Sequence, residues 1–404
     1  MTDCTYYNDK RCPKQLEIIK KKIRKDNLNI LMVGCWGVYC WEDKVTLEEY
    51  KPPGKGNNKG KFKITEKMYG QKNVVRGMVK YTRKYPTESV FLAGDNVYNY
   101  NIPKEKLKKM VTVGIYPNKK TYKEDHTISA QRIQRQLSDG FLYCFDNVNV
   151  KDFYIAIGNH DIQNCFDLNN QLRFSRDHIY SKYRLPAVYY NTVYQMNDYN
   201  VNILVIDTNM YDGNDPKTCS GVLYTENDRN NQKKWVLQTL QRNNARWNII
   251  VGHIPYKANP HKQKIKKDSN GNIIKKGPDY ILNSGLDDLF KTINNCPNCP
   301  KVQVYMCADE HNQQFLVDKE NKMGLVVAGS GGTALDKNII KGKYWESTYW
   351  YNPFFGFVAF NFTPNFLKLT YFVTDRDYGD NSGQVTPAFQ AVISQNGIFI
   401  NKEL

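Results

Sequence analysis

Five short segments of this chain carry side chains that can bind metal ions. Each follows an apolar run that predicts a β-strand. They are Gly-Cys-Trp-Gly at 34–37, Gly-Asp-Asn-Val-Tyr at 94–98, Gly-Asn-His-Asp at 158–161, Gly-His-Ile-Pro at 252–255 and Ala-Asp-Glu-His-Asn at 308–312. Carboxylate, imidazole, thiolate and phenolate groups are the side chains that bind metal ions in proteins. The segments therefore predict a metal site.

The side chains in these segments divide by chemistry. Asp95 is placed to bridge two cations, and Tyr98, three residues later, could bind one of them as a phenolate. Asn159, His253 and His311 offer neutral ligands that the two metals would divide.

Three further residues are candidates for catalysis rather than for metal binding. His160 could stabilise negative charge that develops on a bound substrate, with the neighbouring Asp161 as its orienting partner. His261, eight residues after His253, is a candidate for the acid that protonates the leaving group.

The order and content of the five segments resemble the calcineurin-like metallophosphoesterases, and within them the purple acid phosphatase branch. The Gly-Asp-x-x-Tyr pattern at 94–98 is specific to that branch. The resemblance implies two metal ions, iron plus a divalent metal such as zinc, iron or manganese. By resemblance, the ferric ion would use position 35, Asp95, Tyr98 and His311, and the divalent ion would use Asp95, Asn159, His253 and position 309.

Two positions depart from the family pattern. Cys35 stands where the family has Asp, and Ala308 and Asp309 stand where it has Gly and His. A thiolate and a carboxylate both coordinate metals, so we expect a site that persists with altered metal preference. One interpretation is a phosphomonoesterase that works through a metal-bridged hydroxide. The alternative is a catalytically impaired phosphatase fold that serves as a binding or structural module.

The elements that position these residues alternate strand and helix early and are mostly strands late. This order predicts an α/β (α+β) fold, a four-layer αββα sandwich of two mixed β-sheets packed face to face. Helices are predicted at 15–26, 69–84, 228–242 and 285–294, with Asp228 as a possible N-cap. A mixture of loop and helix is predicted at 101–135, and an exposed loop at 257–282.

The predicted domain organisation is a basic N-terminal extension at 1–28, a metallophosphoesterase domain at 29–376, and a C-terminal tail or edge hairpin at 377–404. Cys296 and Cys299 form a C-x-x-C pair that predicts a structural loop or a local disulfide.

Composition bounds the partners. The chain has 404 residues and a net charge of +17, which favours an anionic partner such as a phosphorylated small molecule or a phosphoprotein. Nucleic acid is an alternative that only the net charge supports. There is no apolar run of membrane-spanning length and no signal-peptide pattern, so we expect no membrane span and an intracellular or cytoplasmic location, with virion-associated or secreted forms left open.

Overall fold

The computed structural model describes residues 18–37, 70–98, 141–162, 165–176, 182–211, 224–263, 265–267, 273–374, 384–394 and 397–401. The stretch 101–135, where loop and helix were predicted, lies outside these residues.

In chain order the strands are β1 (Ile18–Lys22), β2 (Leu28–Val33), β3 (Ser89–Ala93), β4 (Asp152–Ala156), β5 (Tyr183–Arg184), β6 (Tyr190–Gln195), β7 (Asn200–Val205), β8 (Trp247–Val251), β9 (Lys257–Ala258), β10 (Ile265–Lys267), β11 (Ile273–Lys276), β12 (Ile281–Leu282), β13 (Val304–Cys307), β14 (Gln313–Asp318), β15 (Met323–Ala328), β16 (Thr348–Asn352), β17 (Gly356–Phe362), β18 (Phe366–Thr374), β19 (Val385–Ser394) and β20 (Gly397–Asn401). The α-helices are α1 (Gln71–Lys84), α2 (Cys165–Arg176), α3 (Glu226–Gln241) and α4 (Ser284–Asn294).

Two eight-stranded sheets form the centre of the fold. The first has the order β1-β6-β7-β8-β13-β15-β14-β16, and the second has the order β20-β19-β18-β17-β2-β3-β4-β5. Both are mixed: β7, β8, β13 and β15 run parallel in the first sheet, as do β2 to β5 in the second. These parallel strands are almost continuously apolar because both of their faces are covered.

The two sheets pack against each other, and helices cover their outer faces. Trp247 of the first sheet contacts Phe362 of the second, with ring centroids 6.4 Å apart. On the far side of the second sheet, Tyr81 of α1 packs on Phe357. On the far side of the first, helices α3 and α4 share a buried cluster with that sheet, to which Phe290 contributes. The predicted mixed α/β sandwich of two mixed sheets is confirmed.

The predicted helices at 69–84, 228–242 and 285–294 correspond to α1, α3 and α4. Helix α3 begins earlier than predicted, because Thr225 is its N-cap and Asp228 completes a capping box from the third helical position. Thr225 Oγ1 accepts a hydrogen bond from the Asp228 backbone N–H, and the Asp228 carboxylate accepts one from the Thr225 backbone N–H.

The helix predicted at 15–26 is wrong. Residues Ile18–Lys22 form strand β1, which pairs in parallel with β6 at the edge of the first sheet. The partner strand supplies backbone hydrogen bonds that a local sequence pattern does not reveal, and the β-branched Ile18 and Ile19 suit a strand. Within the described part of 257–282, β9 pairs with β12 and β10 pairs with β11, so the predicted exposed loop is also wrong in part.

The first and the last described segments of the chain take part in the sheets. Strand β1 lies inside the predicted extension 1–28, and β19 and β20 form an antiparallel hairpin at the edge of the second sheet. The domain boundaries themselves stay predictions. In the part of the chain that the structure describes, no helix combines the length and apolar character needed to cross a membrane.

Candidate metal centre

The predicted metal ligands meet where strands of both sheets end. Cys35, Asp95 and Asn159 follow β2, β3 and β4 of the second sheet, and His253 and Asp309 follow β8 and β13 of the first. The carboxyl ends of parallel strands within one sheet lie at the same edge, which is where α/β sheets build their sites. Here the corresponding edges of two packed sheets face one centre.

Three of the candidate ligands have an uncommon backbone conformation. Cys35, Asp95 and Asp309 have φ angles of 54°, 54° and 63°, in the left-handed region. For residues with a Cβ this conformation is rare and costs energy, and it clusters at functional sites. Each of the three lies two residues after the end of a strand, in a sharp turn that directs its side chain to the centre.

Around His253, one nitrogen and three oxygens converge. Nε2 of His253 lies 3.1 Å from Asn159 Oδ1, 3.3 Å from Asp95 Oδ1 and 3.5 Å from Asp309 Oδ1. Nδ1 of the same ring donates to the Ala93 carbonyl oxygen at 2.7 Å, so a neutral ring has its lone pair on Nε2.

Three oxygens this close to one ring nitrogen need a positive charge among them. A proton on His253 Nε2 or a bound cation would supply it. Although burial opposes the charged form, Asp95 and Asp309 raise the pKa of His253 to about 10. The lone pair and three oxygens are also the donor set that a cation of borderline hardness prefers. The residues therefore fit a divalent metal.

A second set surrounds Cys35. The Cys35 sulfur, a carboxylate oxygen of Asp95 and a ring nitrogen of His311 all lie within 4.8 Å of one another. The Tyr98 hydroxyl is 3.3 Å from His311 Nε2, while His311 Nδ1 donates to the Ala334 carbonyl oxygen at 2.9 Å. A histidine ligand is usually oriented in this way through its other ring nitrogen. Sulfur, nitrogen and two oxygens fit iron or zinc.

The protonation of Cys35 depends on what occupies this set. The residue is fully buried, and burial together with the charges of Asp95 and Asp309 raises the pKa of its thiol well above the usual range. A thiol in this setting is neutral unless a cation displaces its proton.

His160 lies beside the centre and is partly exposed. Its backbone N–H donates to Asp95 Oδ1 at 3.0 Å, which fixes the shared carboxylate. Its ring packs against that of Tyr98, with centroids 4.5 Å apart. An imidazole held in this place can donate a hydrogen bond to an anionic group bound at the centre.

Asp161, predicted as the orienting partner of His160, accepts hydrogen bonds that connect two loops of the centre. Its carboxylate is fully buried and accepts hydrogen bonds from the backbone N–H groups of Asn96, Val97 and Gly158 and from the side chains of Asn96 and Gln171. It ties the loop that carries Asp95 to the loop that carries Asn159. The turn at 160–162 is responsible, because it places this carboxylate beneath the loops.

His261 lies in a separate cluster next to the centre. Its Nδ1 is 2.9 Å from Glu310 Oε2 and 3.3 Å from Asp336 Oδ2. Sequence reasoning missed both carboxylates. Glu310 could have been noticed because it stands between Asp309 and His311, whereas nothing local marks Asp336.

One further supporting residue was missed. The Thr208 hydroxyl accepts hydrogen bonds from the backbone N–H groups of His253, at 3.2 Å, and Ile254, at 2.9 Å. It thereby fixes the turn after β8. The sequence Asp207-Thr208-Asn209 after strand β7 was the available signal.

Comparison with known proteins agrees with this arrangement. Residues 28–313, which contain all five segments, match the family described as calcineurin-like phosphoesterase. Tartrate-resistant acid phosphatase type 5 of Mus musculus is 25% identical over 212 residues, covering 51% of this chain and 56% of that protein. The Sus scrofa protein is 24% identical over 213 residues, covering 51% and 54%. The matched region thus spans about half the length of these relatives.

Solved structures share the fold at low identity. "Structure of PhoD" has a TM-score of 0.56 at 14% identity and covers 95% of this chain and 73% of that one. "GAP50 the anchor in the inner membrane complex of Plasmodium" has a TM-score of 0.52 at 13% identity and covers 90% and 89%. These similarities concern the fold alone. From its segments, its two sheets and the family match, the chain belongs to the calcineurin-like phosphoesterases and has purple acid phosphatase homologues.

Proposed function

We propose that this protein is a metal-dependent phosphomonoesterase of the acid phosphatase type. The observation that carries the proposal is the position of Asp95. Its carboxylate lies 3.3 Å from His253 Nε2 and also belongs to the cluster with Cys35 and His311. One carboxylate between two donor sets is what a dinuclear centre requires.

The proposed cofactors are iron and a divalent metal such as zinc, iron or manganese. The residues that would hold them are Cys35, Asp95, Tyr98 and His311 for one ion, and Asp95, Asn159, His253 and Asp309 for the other. When bound, such metals neutralise the charge of a phosphate ester and lower the pKa of water.

The chain's own groups would supply the remaining steps. His160, partly exposed beside Tyr98, would donate a hydrogen bond to a phosphoryl oxygen as charge develops. His261 would protonate the leaving oxygen. Asp161 would keep the Asp95 and Asn159 loops together rather than act on the substrate.

The proposed substrate is a phosphorylated small molecule or a phosphoprotein. The net charge of +17 favours anionic molecules in general. Nucleic acid is a weaker proposal, for which only that charge speaks.

A second candidate function rests on Cys35 and Asp309, the two replaced ligands. In that case the fold is kept as a binding or structural module with a catalytically impaired site.

Hydrolysis of 4-nitrophenyl phosphate, together with elemental analysis of the same purified chain, tests the proposal. We expect two metals per chain, and a loss of more than about 100-fold in kcat/KM for Asp95→Asn, since removing even an outer partner of a metal ligand costs 10- to 100-fold. Asp198→Asn, on an exposed residue, is the matched control. Equal activity of Asp95→Asn and the control would exclude the mechanism.

The double variant Cys35→Asp with Asp309→His separates the two candidate functions. A wild type that is active, and loses activity on this change, is an enzyme adapted to its own ligands. A wild type without activity, from which the double variant gains it, is the impaired module.

A further inference from the structure

In the cluster of His261, Glu310 and Asp336, the two carboxylates both contact the histidine. Glu310 Oε2 accepts hydrogen bonds from both the backbone N–H of His261, at 3.0 Å, and its ring Nδ1, at 2.9 Å. Asp336 Oδ2 lies 3.3 Å from the same Nδ1. The carboxylates therefore fix both the backbone and the ring of His261.

The same two residues are also linked to the loop that carries the candidate metal ligands Asp309 and His311. Glu310 stands between Asp309 and His311 in the loop after β13. Asp336 Oδ2 accepts a hydrogen bond from the backbone N–H of His311 at 2.9 Å, and the Asp336 backbone N–H donates to the His311 carbonyl oxygen at 3.0 Å. A shift of His261 relative to His311 would break the contacts that Glu310 and Asp336 make with the two histidines. The fold therefore sets the distance between His261 and His311.

The contacts also decide which ring nitrogen of His261 can meet a substrate. Nδ1 donates to the Glu310 carboxylate and is therefore protonated, which leaves Nε2 as the nitrogen available for a reaction. The imidazolium, with a proton on each nitrogen, is the form that two adjacent carboxylates favour. In agreement, the hydrogen bond to Glu310 is the largest influence on the pKa of His261 and raises it above the usual range.

We propose that Glu310 and Asp336 are positioning residues that hold His261 by Nδ1, so that Nε2 protonates the leaving oxygen of the phosphate ester. As a water oxygen bonds to phosphorus and loses a proton to solvent, the bond between phosphorus and the leaving oxygen breaks, and that oxygen takes the Nε2 proton. His261 then remains as neutral imidazole with its Nδ1 proton, and regains the other from water. This inference rests on the proposed phosphatase function.

A cation bound by the three side chains is the competing explanation, because their ligand atoms also lie within 4.8 Å of one another. The backbone N–H of His261 already donates to the Glu310 oxygen that faces the ring. That bond and the Nδ1–H bond satisfy this oxygen without a cation. Metal content distinguishes the two explanations.

The test compares esters whose leaving groups differ in their need for a proton. Phenyl phosphate, with a basic leaving group, needs an acid, whereas 2,4-dinitrophenyl phosphate does not. For Glu310→Ala and Asp336→Ala we expect kcat/KM to fall roughly 100-fold on phenyl phosphate and much less on the dinitrophenyl ester. Glu310→Gln, which keeps an oxygen for the Nδ1–H, should recover part of the loss. His261→Asn should show the same selectivity, and adding Glu310→Ala to it should cost little more.

Three results would overturn the proposal. They are an equal loss on both esters, an additive loss in the double variant, and the disappearance of a bound metal in Glu310→Ala.

Nuclear magnetic resonance of the nitrogen-15-labelled full chain gives a readout that needs no activity. His261 is one of only six histidines in the chain, so its signals are identified by their absence from the spectrum of His261→Asn. The Nδ1 proton should be present in wild type and lost in Glu310→Ala. If wild type hydrolyses neither ester, the proposed function is wrong, and an Nδ1 signal that Glu310→Ala leaves unchanged shows that the positioning is wrong as well.

Discussion

Nε2 of His253 lies 3.3 Å from Oδ1 of Asp95, although His253 follows a strand of the first sheet and Asp95 follows a strand of the second. The candidate metal centre therefore exists only when the two sheets are packed in one relative position. Interactions between the sheets, and the turns that end their strands, consequently determine its geometry.

An ion pair between the sheets, with a buried carboxylate and partly exposed cations, should contribute to stability. Asp152 on β4 of the second sheet accepts a hydrogen bond from Arg184 at 2.7 Å and contacts Lys21 on β1 of the first sheet. Asp152→Asn would leave two cations without their carboxylate. Because Lys21 and Arg184 are partly exposed, we expect the free energy of unfolding to fall by about 1–3 kcal/mol in urea denaturation.

An exposed pair provides the control for this change. Lys233 and Asp288 are 2.7 Å apart, and the Asp288 side chain is 67% exposed. Asp288→Asn should cost less than about 1 kcal/mol. If both variants lost a similar free energy of unfolding, the ion pair between the sheets would stabilise the fold no more than an exposed pair does.

Gly158 permits the close approach of two loops at the centre. A Cβ added there would meet the backbone nitrogen and Oδ1 of Asp95. Gly158→Ala should therefore displace Asp95, lower the metal content and cost about 1–3 kcal/mol of stability, as measured by elemental analysis and urea unfolding. A variant that keeps both metals and full stability would contradict the close contact.

Cys35 should bind metal as a thiolate. In cobalt-loaded protein we expect a sulfur-to-cobalt absorption band in the near ultraviolet, because cobalt binding would displace the thiol proton. Cys35→Ser should remove the band. Cys307→Ser is the control, because Cys307 is also buried and free but belongs to strand β13. A band that survives Cys35→Ser would assign the metal to other ligands.

The pH dependence of hydrolysis should report His261. The groups that face it are Glu310 and Asp336, which raise its pKa, and Lys262, which lowers it, while burial also opposes its charge. The protonated acid is lost as pH rises through this pKa, so kcat/KM for phenyl phosphate should fall on an alkaline limb centred above about 6.5, the usual pKa of histidine.

Two substitutions should move this limb in opposite directions. Glu310→Gln removes a negative charge and should shift it to lower pH. Lys262→Gln removes a positive charge from an exposed neighbour and should shift it slightly to higher pH. A limb that neither change moves belongs to another group.

Much of the fold could be predicted because its signals are local. Strands such as β4, β8 and β13 are short apolar runs, and each is followed at once by a polar turn. Helix α4 has an apolar face and begins after Asn283, whose side chain accepts a hydrogen bond from the Leu286 backbone N–H. In contrast, β1 owes its conformation to pairing with β6, a partner far away in the chain.

The sequence by itself determined the donor types, their order and their places after strands. Only the tertiary structure decided how these donors group: Asp95 stands between two sets, Asp161 joins two loops, and Glu310 and Asp336 hold His261. The physical reason is that such groupings depend on distances between side chains on different strands. Those distances are fixed by the packing of two sheets and by left-handed turns at Cys35, Asp95 and Asp309, which no local pattern specifies.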